Sequence, residues 1–326
     1  MKLTLIITLF ISISAQAQFA PAAGEPGTTA IHKDSSIIFE WATEVVSFNR
    51  GLEDIENPDG PLASFGDSTA ALGYAEGTST DVVSLGDNGS ITVTFEYSFN
   101  NGEGYDFLVF ENSFSSDYLE LAHVEVSSDG VNFVRIPSRS NTQSDVQVGT
   151  FGSIDPTEIN NLAGKYIQGF GTPFDLEDIA DEPGIDLTDV KYVRIIDVVG
   201  TINPAFCTYD SFAHRINDPY KTDFETGGFD LDAVGVINSN DPSVSISEAV
   251  LKPLTVYPNP TNGTFSIRTN AIVNQVLLID GTGRIVYEGT AQFLDMDQLG
   301  LSSGTYFLRV VDEDDNVYQE RISFVQ

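Results

Sequence analysis

The chain has 326 residues, with 48 Asp and Glu against 15 Lys and Arg and a formal charge of −33. That balance excludes nucleic acid as a partner, because phosphate recognition needs clustered lysine and arginine, and it disfavours adhesion to anionic lipid. A single cysteine, Cys207, rules out an intrachain disulfide, so stability must come from buried cores or a bound ion.

Residues 1–18 read MKLTLIITLFISISAQAQ: one lysine, an apolar run of about a dozen residues, then Ala-Gln-Ala. This is the layout of a secretory signal peptide over residues 1–17, with cleavage expected after Ala17. The run is shorter than the roughly 20 residues a spanning helix needs, and no later stretch is longer, so no membrane span is expected. Residues 18–35 show no periodicity and read as a leader.

From 36 to 238 the signals are those of strands. ATEVVSF (42–48), DVVSLG (81–86), SITVTFEY (90–97), YDFLVFEN (105–112), LAHVEVSSDG (121–130), NFVRIP (132–137), KYVRIID (191–197) and FDLDAVGVI (229–237) are short. They are rich in β-branched and aromatic residues and bounded by Gly, Asn or Asp. No amphipathic helix longer than about ten residues is visible, and DPTEINNLAG (155–164) suits a turn or two. With no βαβ alternation, the fold class is all-β: an antiparallel jelly-roll-like sandwich large enough for one sizeable core.

Several of these strands carry acids among apolar neighbours. Asp106 and Glu111 flank FLVF, Asp197 ends VRII, and Asp230 and Asp232 sit in FDLDAVGV. Strand alternation places Asp230 and Asp232 on one face together with Val234 and Val236. An unpaired buried carboxylate is costly, so these groups must pair with Arg135, Lys191 or Arg194, cap nearby turns, or converge on a cation. Glu125, between two valines, needs only a water-facing sheet surface. If the acids hold a cation, calcium is the ion to expect: it takes six to eight oxygen ligands, and Asp106, Glu111, Asp197, Asp230 and Asp232 are the candidate metal ligands. His32, His123 and His214 are too scattered for zinc or copper.

The hairpin VEVSSDGVNFVRI (124–136) resembles the strand-turn-strand of galactose-binding-like jelly rolls. FDLDAVGV resembles the final strand of calcium-bearing carbohydrate-binding modules of that class. The likeness implies a structural calcium ligand at Asp232, while the acidic partner that completes such a site has no counterpart near the N-terminus. Ser84–Ile91, Asp106–Asn112, Val124–Gly130, Gly171–Leu176, Tyr192–Gly200 and Gly227–Val236 resemble segments of bacterial cell-surface protein domains, which implies surface exposure and leaves the ligand open.

Catalytic constellations are weak. FGDSTA (65–70) resembles the nucleophile block of GDS-type esterases, but the partner block would be Asp-x-x-His, and DSFAH (210–214) has one residue too many. Glycoside hydrolysis needs only two carboxylates, and with 48 acids some pair always qualifies. Sugar binding needs loop aromatics; Trp41, Tyr74, Tyr105, Phe114 and Tyr209 are available, and Tyr118 and Tyr220 are best placed by their loops. The long connections 138–190 and 201–226 are where a binding face is expected.

Residues 239–253, polar with two prolines, read as a linker. Beyond it, short alternating strands are split by Asn-Gly, Asp-Gly and Ser-Gly turns, the pattern of a small β-sandwich of about seven strands. Tyr257-Pro258-Asn259-Pro260, Gly263, Asp280 with Gly283, Leu299 and Gly304-Thr305-Tyr306 resemble the C-terminal sorting domain of the type IX secretion system of Bacteroidetes. The resemblance covers 254–326 and implies export by signal peptide and then by that machinery, ending secreted or on the outer cell surface. The expected function is non-catalytic binding of an extracellular glycan, with calcium support. The alternatives are an adhesive protein whose partner is another surface protein, or a secreted hydrolase.

Overall fold

The computed structural model describes residues 19–241, 254–269, 272–281, 283–313 and 317–325. The segment expected to be a signal peptide and most of the expected linker lie outside the described residues. The chain divides into two compact units, Met1–Val244 and Ser245–Gln326. Among the described residues there is no α-helix, and no helix is long and apolar enough to cross a membrane.

The first unit is built on seven longer strands: β1 (Glu44–Asn49), β2 (Ser90–Phe99), β3 (Phe107–Glu111), β4 (Ala122–Ser127), β5 (Phe170–Phe174), β6 (Val190–Asp197) and β7 (Asp230–Val236). One antiparallel sheet runs β1-β2-β6-β4 and ends on the short strand Val134–Arg135. The other runs from Ile31–His32 through β5, β3 and β7 to Glu40–Trp41, with Val83–Ser84 also paired to β7. Alternation puts Ile91, Val93, Val124, Val126, Val193 and Ile195 of the first sheet against Phe107, Val109, Phe174, Val234 and Val236 of the second. Full burial of each such side chain contributes about 1.5–3 kcal/mol. This is the sandwich expected.

Leu108, Phe110 and Ala233 face the opposite way and are covered by Ala75, Ile31, Ile38 and Trp41. The second sheet is therefore apolar on both faces. A third cluster, including Leu119, Leu121, Ile159, Leu162 and Ile216, lies under the long connections. The segment DPTEINNLAG makes one 3-10 turn at Pro156–Glu158, capped by Asp155.

Residues 19–35 depart from expectation. They are part of the domain and no loose leader: the Phe19 N–H donates to the Thr157 carbonyl, the Thr29 and Tyr166 hydroxyls bond at 2.7 Å, and Ile31–His32 forms the sheet edge beside β5.

The second unit has seven strands among its described residues: β8 (Thr255–Tyr257), β9 (Thr264–Arg268), β10 (Val273–Asp280), β11 (Ile285–Gly289), β12 (Phe293–Asp295), β13 (Gly304–Asp312) and β14 (Val317–Phe324). They form sheets β8-β9-β12 and β11-β10-β13-β14 around Phe265, Leu278, Leu308, Ile322 and Phe324. Asn259 explains much of its motif: its side chain donates to the Arg321 carbonyl at 2.6 Å and accepts the Ser323 N–H at 2.9 Å, tying the entry loop to the last strand. Asp280 accepts the Arg284 N–H at 3.1 Å across a turn in which Gly283 has φ +86°.

Candidate functional site

The five acids named as calcium ligands do not form one ligand set, and most are held by backbone N–H groups. Asp106 accepts from Gly102 (2.8 Å), Leu176 (2.7 Å) and the Asn238 amide (2.7 Å). Asp197 accepts from Asn88 and Phe229, both at 2.8 Å. Asp232 accepts from Glu76 (3.0 Å) and Gly77 (2.9 Å). Asp230 takes the Ser84 hydroxyl and, at 3.0 Å, the Asn112 amide. Among the described residues no group of three His, Cys, Asp or Glu side chains is placed to hold a metal ion. The basic residues offered as partners are used elsewhere: Arg135 (2.9 Å) and Arg194 (3.4 Å) pair with Glu125, and Lys191 pairs with Asp189 at 2.6 Å.

The facing of β7 also differs from simple alternation. A register shift lies between Leu231 and Ala233, and Leu231 shares the inter-sheet core with Val234 and Val236. The strand changes parity across this bulge, so Asp230 and Asp232 turn away from Val234 and Val236.

Where β3 ends and β7 begins, the loops enclose a cavity of about 370 Å³. Its exposed walls are Phe114, Phe151 and Phe224, at 60%, 73% and 40% exposure, together with Tyr118. The rings follow one another: Phe114 stacks on Tyr118 at 4.5 Å, Tyr118 lies 6.2 Å from Phe151, and Phe151 stacks on Phe224 at 6.2 Å. The deep lining is polar, from Asn112, Glu120 and Asp230, and both acids are more than nine-tenths buried. A serine turn sets the first two rings, with the Tyr118 N–H donating to Ser115 Oγ at 3.0 Å.

Burial pushes the Glu120 carboxyl well above the usual range, and the neighbouring Asp230 and Glu111 push it further. Glu111, beside them, is raised in the same way by burial and then by Asp230; its Oε2 accepts the Ser113 N–H at 2.8 Å while Oε1 has no partner. Asp230 is raised by burial, offset in part by Ser84 and Asn112. The Tyr118 hydroxyl, beside Glu120, is raised chiefly by its own burial and then by the Glu120 charge. Among the described residues no Lys, Arg or His forms an ion pair with any of the three acids.

Of the sequence candidates, Tyr118, Phe114 and Asp230 come together here, and the two long connections supply Phe151 and Phe224. Tyr220 does not join them: it is 9% exposed, with its hydroxyl toward Asp54 and its neighbour Lys221 paired to Asp54 at 2.5 Å. Trp41 packs on Tyr74 and Phe110, covering the second sheet. FGDSTA is a capped turn in which Asp67 accepts the Thr69 N–H at 2.9 Å. Glu120 was missed, although it shares strand parity with the inward-facing Ala122, Val124 and Val126.

Comparison with known proteins bears mainly on the second unit. The secretion system C-terminal sorting domain family matches residues 255–324. These residues are a type IX sorting domain. The sorting domain directs the chain through that secretion machinery to the cell surface or beyond. No curated protein matches the chain. Among solved structures, Ruminococcus gnavus β-glucuronidase in complex with uronic isofagomine has 13% identity and a TM-score of 0.23 over 94% of this chain and 45% of that one. The same enzyme in complex with D-glucaro-d-lactam has 13% identity and a TM-score of 0.20 over 73% and 36%. The chain spans less than half the length of these structures, and at such scores the likeness carries no argument.

Proposed function

We propose that the cargo ahead of the sorting domain is a non-catalytic, extracellular binding protein that holds a saccharide in the aromatic-walled cavity. The observation that carries this reading is the run of rings from Phe114 through Tyr118 and Phe151 to Phe224 around a deep polar lining. Pyranose rings present apolar C–H faces edged by hydroxyls, so they suit exposed aromatic walls together with the few convergent polar groups of Asn112, Glu120 and Asp230. Such rings exposed to water on a secreted domain are costly unless something covers them.

Hydrolysis is the less favoured reading. A glycosidase needs its two carboxyls driven apart, one protonated and one ionised. Here burial raises Glu120 and Asp230 alike. Calcium support is not part of the proposal, because hydrogen bonds already account for most of the acids expected to bind it.

A glycan array with the secreted protein, followed by calorimetry, tests the proposal. Saccharide binding that is lost in Phe151→Ala with Phe224→Ala supports it. Silence across the array, with capture of a surface protein through the same rings, would overturn it, and so would release of reducing sugar.

A further inference from the structure

The cavity combines two features that a neutral sugar does not use together. Its walls are π faces, and its deep lining is acidic, with no Lys, Arg or His paired to the acids among the described residues. Glu120 is more than nine-tenths buried, lines the cavity and accepts no backbone N–H among the described residues; the polar group beside it is the Tyr118 hydroxyl. Glu111, at 1% exposure, keeps Oε1 without a partner. Three adjoining carboxyls left without a counter-charge are a costly arrangement in a folded interior. Asp230 has the Ser84 hydroxyl and the Asn112 amide, and Asp106, Asp197 and Asp232 also have two or more hydrogen bonds each, so among these buried acids it is Glu120 that has no backbone N–H and Glu111 that has a single one.

Resting on the saccharide reading above, we infer that the ligand is an amino sugar with a free ammonium group, seated on Glu120 and Asp230 while its ring packs against Phe151 and Phe224. An ammonium provides donors to both carboxyls and lies among ring faces that attract cations. A compact metal ion fits less well, since no three acids are placed around a common point among the described residues. Each carboxyl that is protonated when the cavity is empty gives up its proton as the ammonium arrives, so binding should release protons.

Chitosan oligosaccharides and their fully N-acetylated counterparts share one backbone and differ in the free amine, so calorimetry against both separates the two claims. The expected result is chitosan binding at least about tenfold tighter, with an enthalpy that changes with the ionisation heat of the buffer. Glu120→Gln, which keeps the shape and removes the charge, should abolish the preference; Asp230→Asn should do the same should the first variant fold poorly. Equal binding of both oligosaccharides overturns this inference and leaves the saccharide reading standing. Binding of neither also overturns this inference, and the glycan array then decides the saccharide reading. Calcium chloride titrated alone and bound in a way that Glu120→Gln removes would also overturn it.

Discussion

Asp232 Oδ2 accepts the backbone N–H of Gly77 at 2.9 Å, across 155 residues of sequence. Its other oxygen holds the Glu76 N–H, so one carboxyl on β7 fixes the loop beside Ala75 that covers the outer face of its sheet. Removing it leaves two part-buried donors without their acceptor, at about 1–3 kcal/mol each. Asp232→Ala should therefore lose about 3 kcal/mol in urea unfolding. Because the anchor is hydrogen-bonded, extensive dialysis against chelator should leave the wild-type melting temperature where it was. A melting temperature that falls on dialysis and returns with calcium would mean the acids do hold an ion.

Burial sets the pH dependence of stability. Asp87 and Asp232 are each raised to about 6 by burial. A carboxyl raised in the folded state holds its proton there after the unfolded chain has lost it. Its destabilising effect is thus absent below its ordinary value near 4, grows as pH rises and is complete above about 6. Glu111, Glu120, Asp197, Asp218 and Asp230 are raised as well and act in the same sense. His123 opposes them: burial lowers it to about 4, so its contribution is lost as pH falls from about 6.5 to 4. The acids outnumber it. The melting temperature should rise between pH 8 and pH 5, by scanning calorimetry, with Asp87 and Asp232 contributing about 1 kcal/mol each or more. A flat or falling profile over that range would contradict the buried-acid account.

The sorting domain was readable because its information is local: Asn-Gly, Asp-Gly and Ser-Gly turns and strict alternation recur within short distances. The main strands of the cargo were readable for the same reason. What escaped was whatever depends on tertiary register. No residue type marks the bulge between Leu231 and Ala233, yet it reverses the facing of Asp230 and Asp232. Ile31–His32 is too short for any period, so nothing in the sequence distinguishes the segment that carries it from a leader. Phe151 and Phe224 lie in aperiodic connections, and only the folded sheets bring them together. Glu120 could have been found, since continuing the inward parity of Val126, Val124 and Ala122 by one step leads to it.

Gly164 gives a test of how the cavity is supported. It has φ +82°, and a Cβ placed there would lie 1.8 Å from the Glu120 carbonyl oxygen. Just beyond it, Ala163 exchanges backbone hydrogen bonds with Ala122 at the start of β4. Gly164→Ala must therefore push the backbone that carries Glu120 away from its place, besides forcing a left-handed conformation. The expected cost is about 2 kcal/mol or more in chemical denaturation. A variant as stable as wild type would mean the chain can shift there freely and that this contact does not hold the Glu120 backbone in place.

The exposed rings should separate binding from folding. Phe151 is 73% exposed and makes its ring contacts with Tyr118 and Phe224, at the rim of the cavity and outside the inter-sheet core. Truncating it removes little buried area, so the melting temperature of Phe151→Ala should stay within about 1–2 °C of wild type. Removing one of several stacked walls should weaken saccharide binding by about tenfold, and adding Phe224→Ala should weaken it further by less than the product of the two, because the rings act on one ligand face. Phe212, 57% exposed and over Arg139 in a different cavity, is the control: Phe212→Ala should leave affinity unchanged. Equal losses from Phe151→Ala and Phe212→Ala would show that the rings act through general surface apolarity, and the cavity would no longer be the place where the ligand sits.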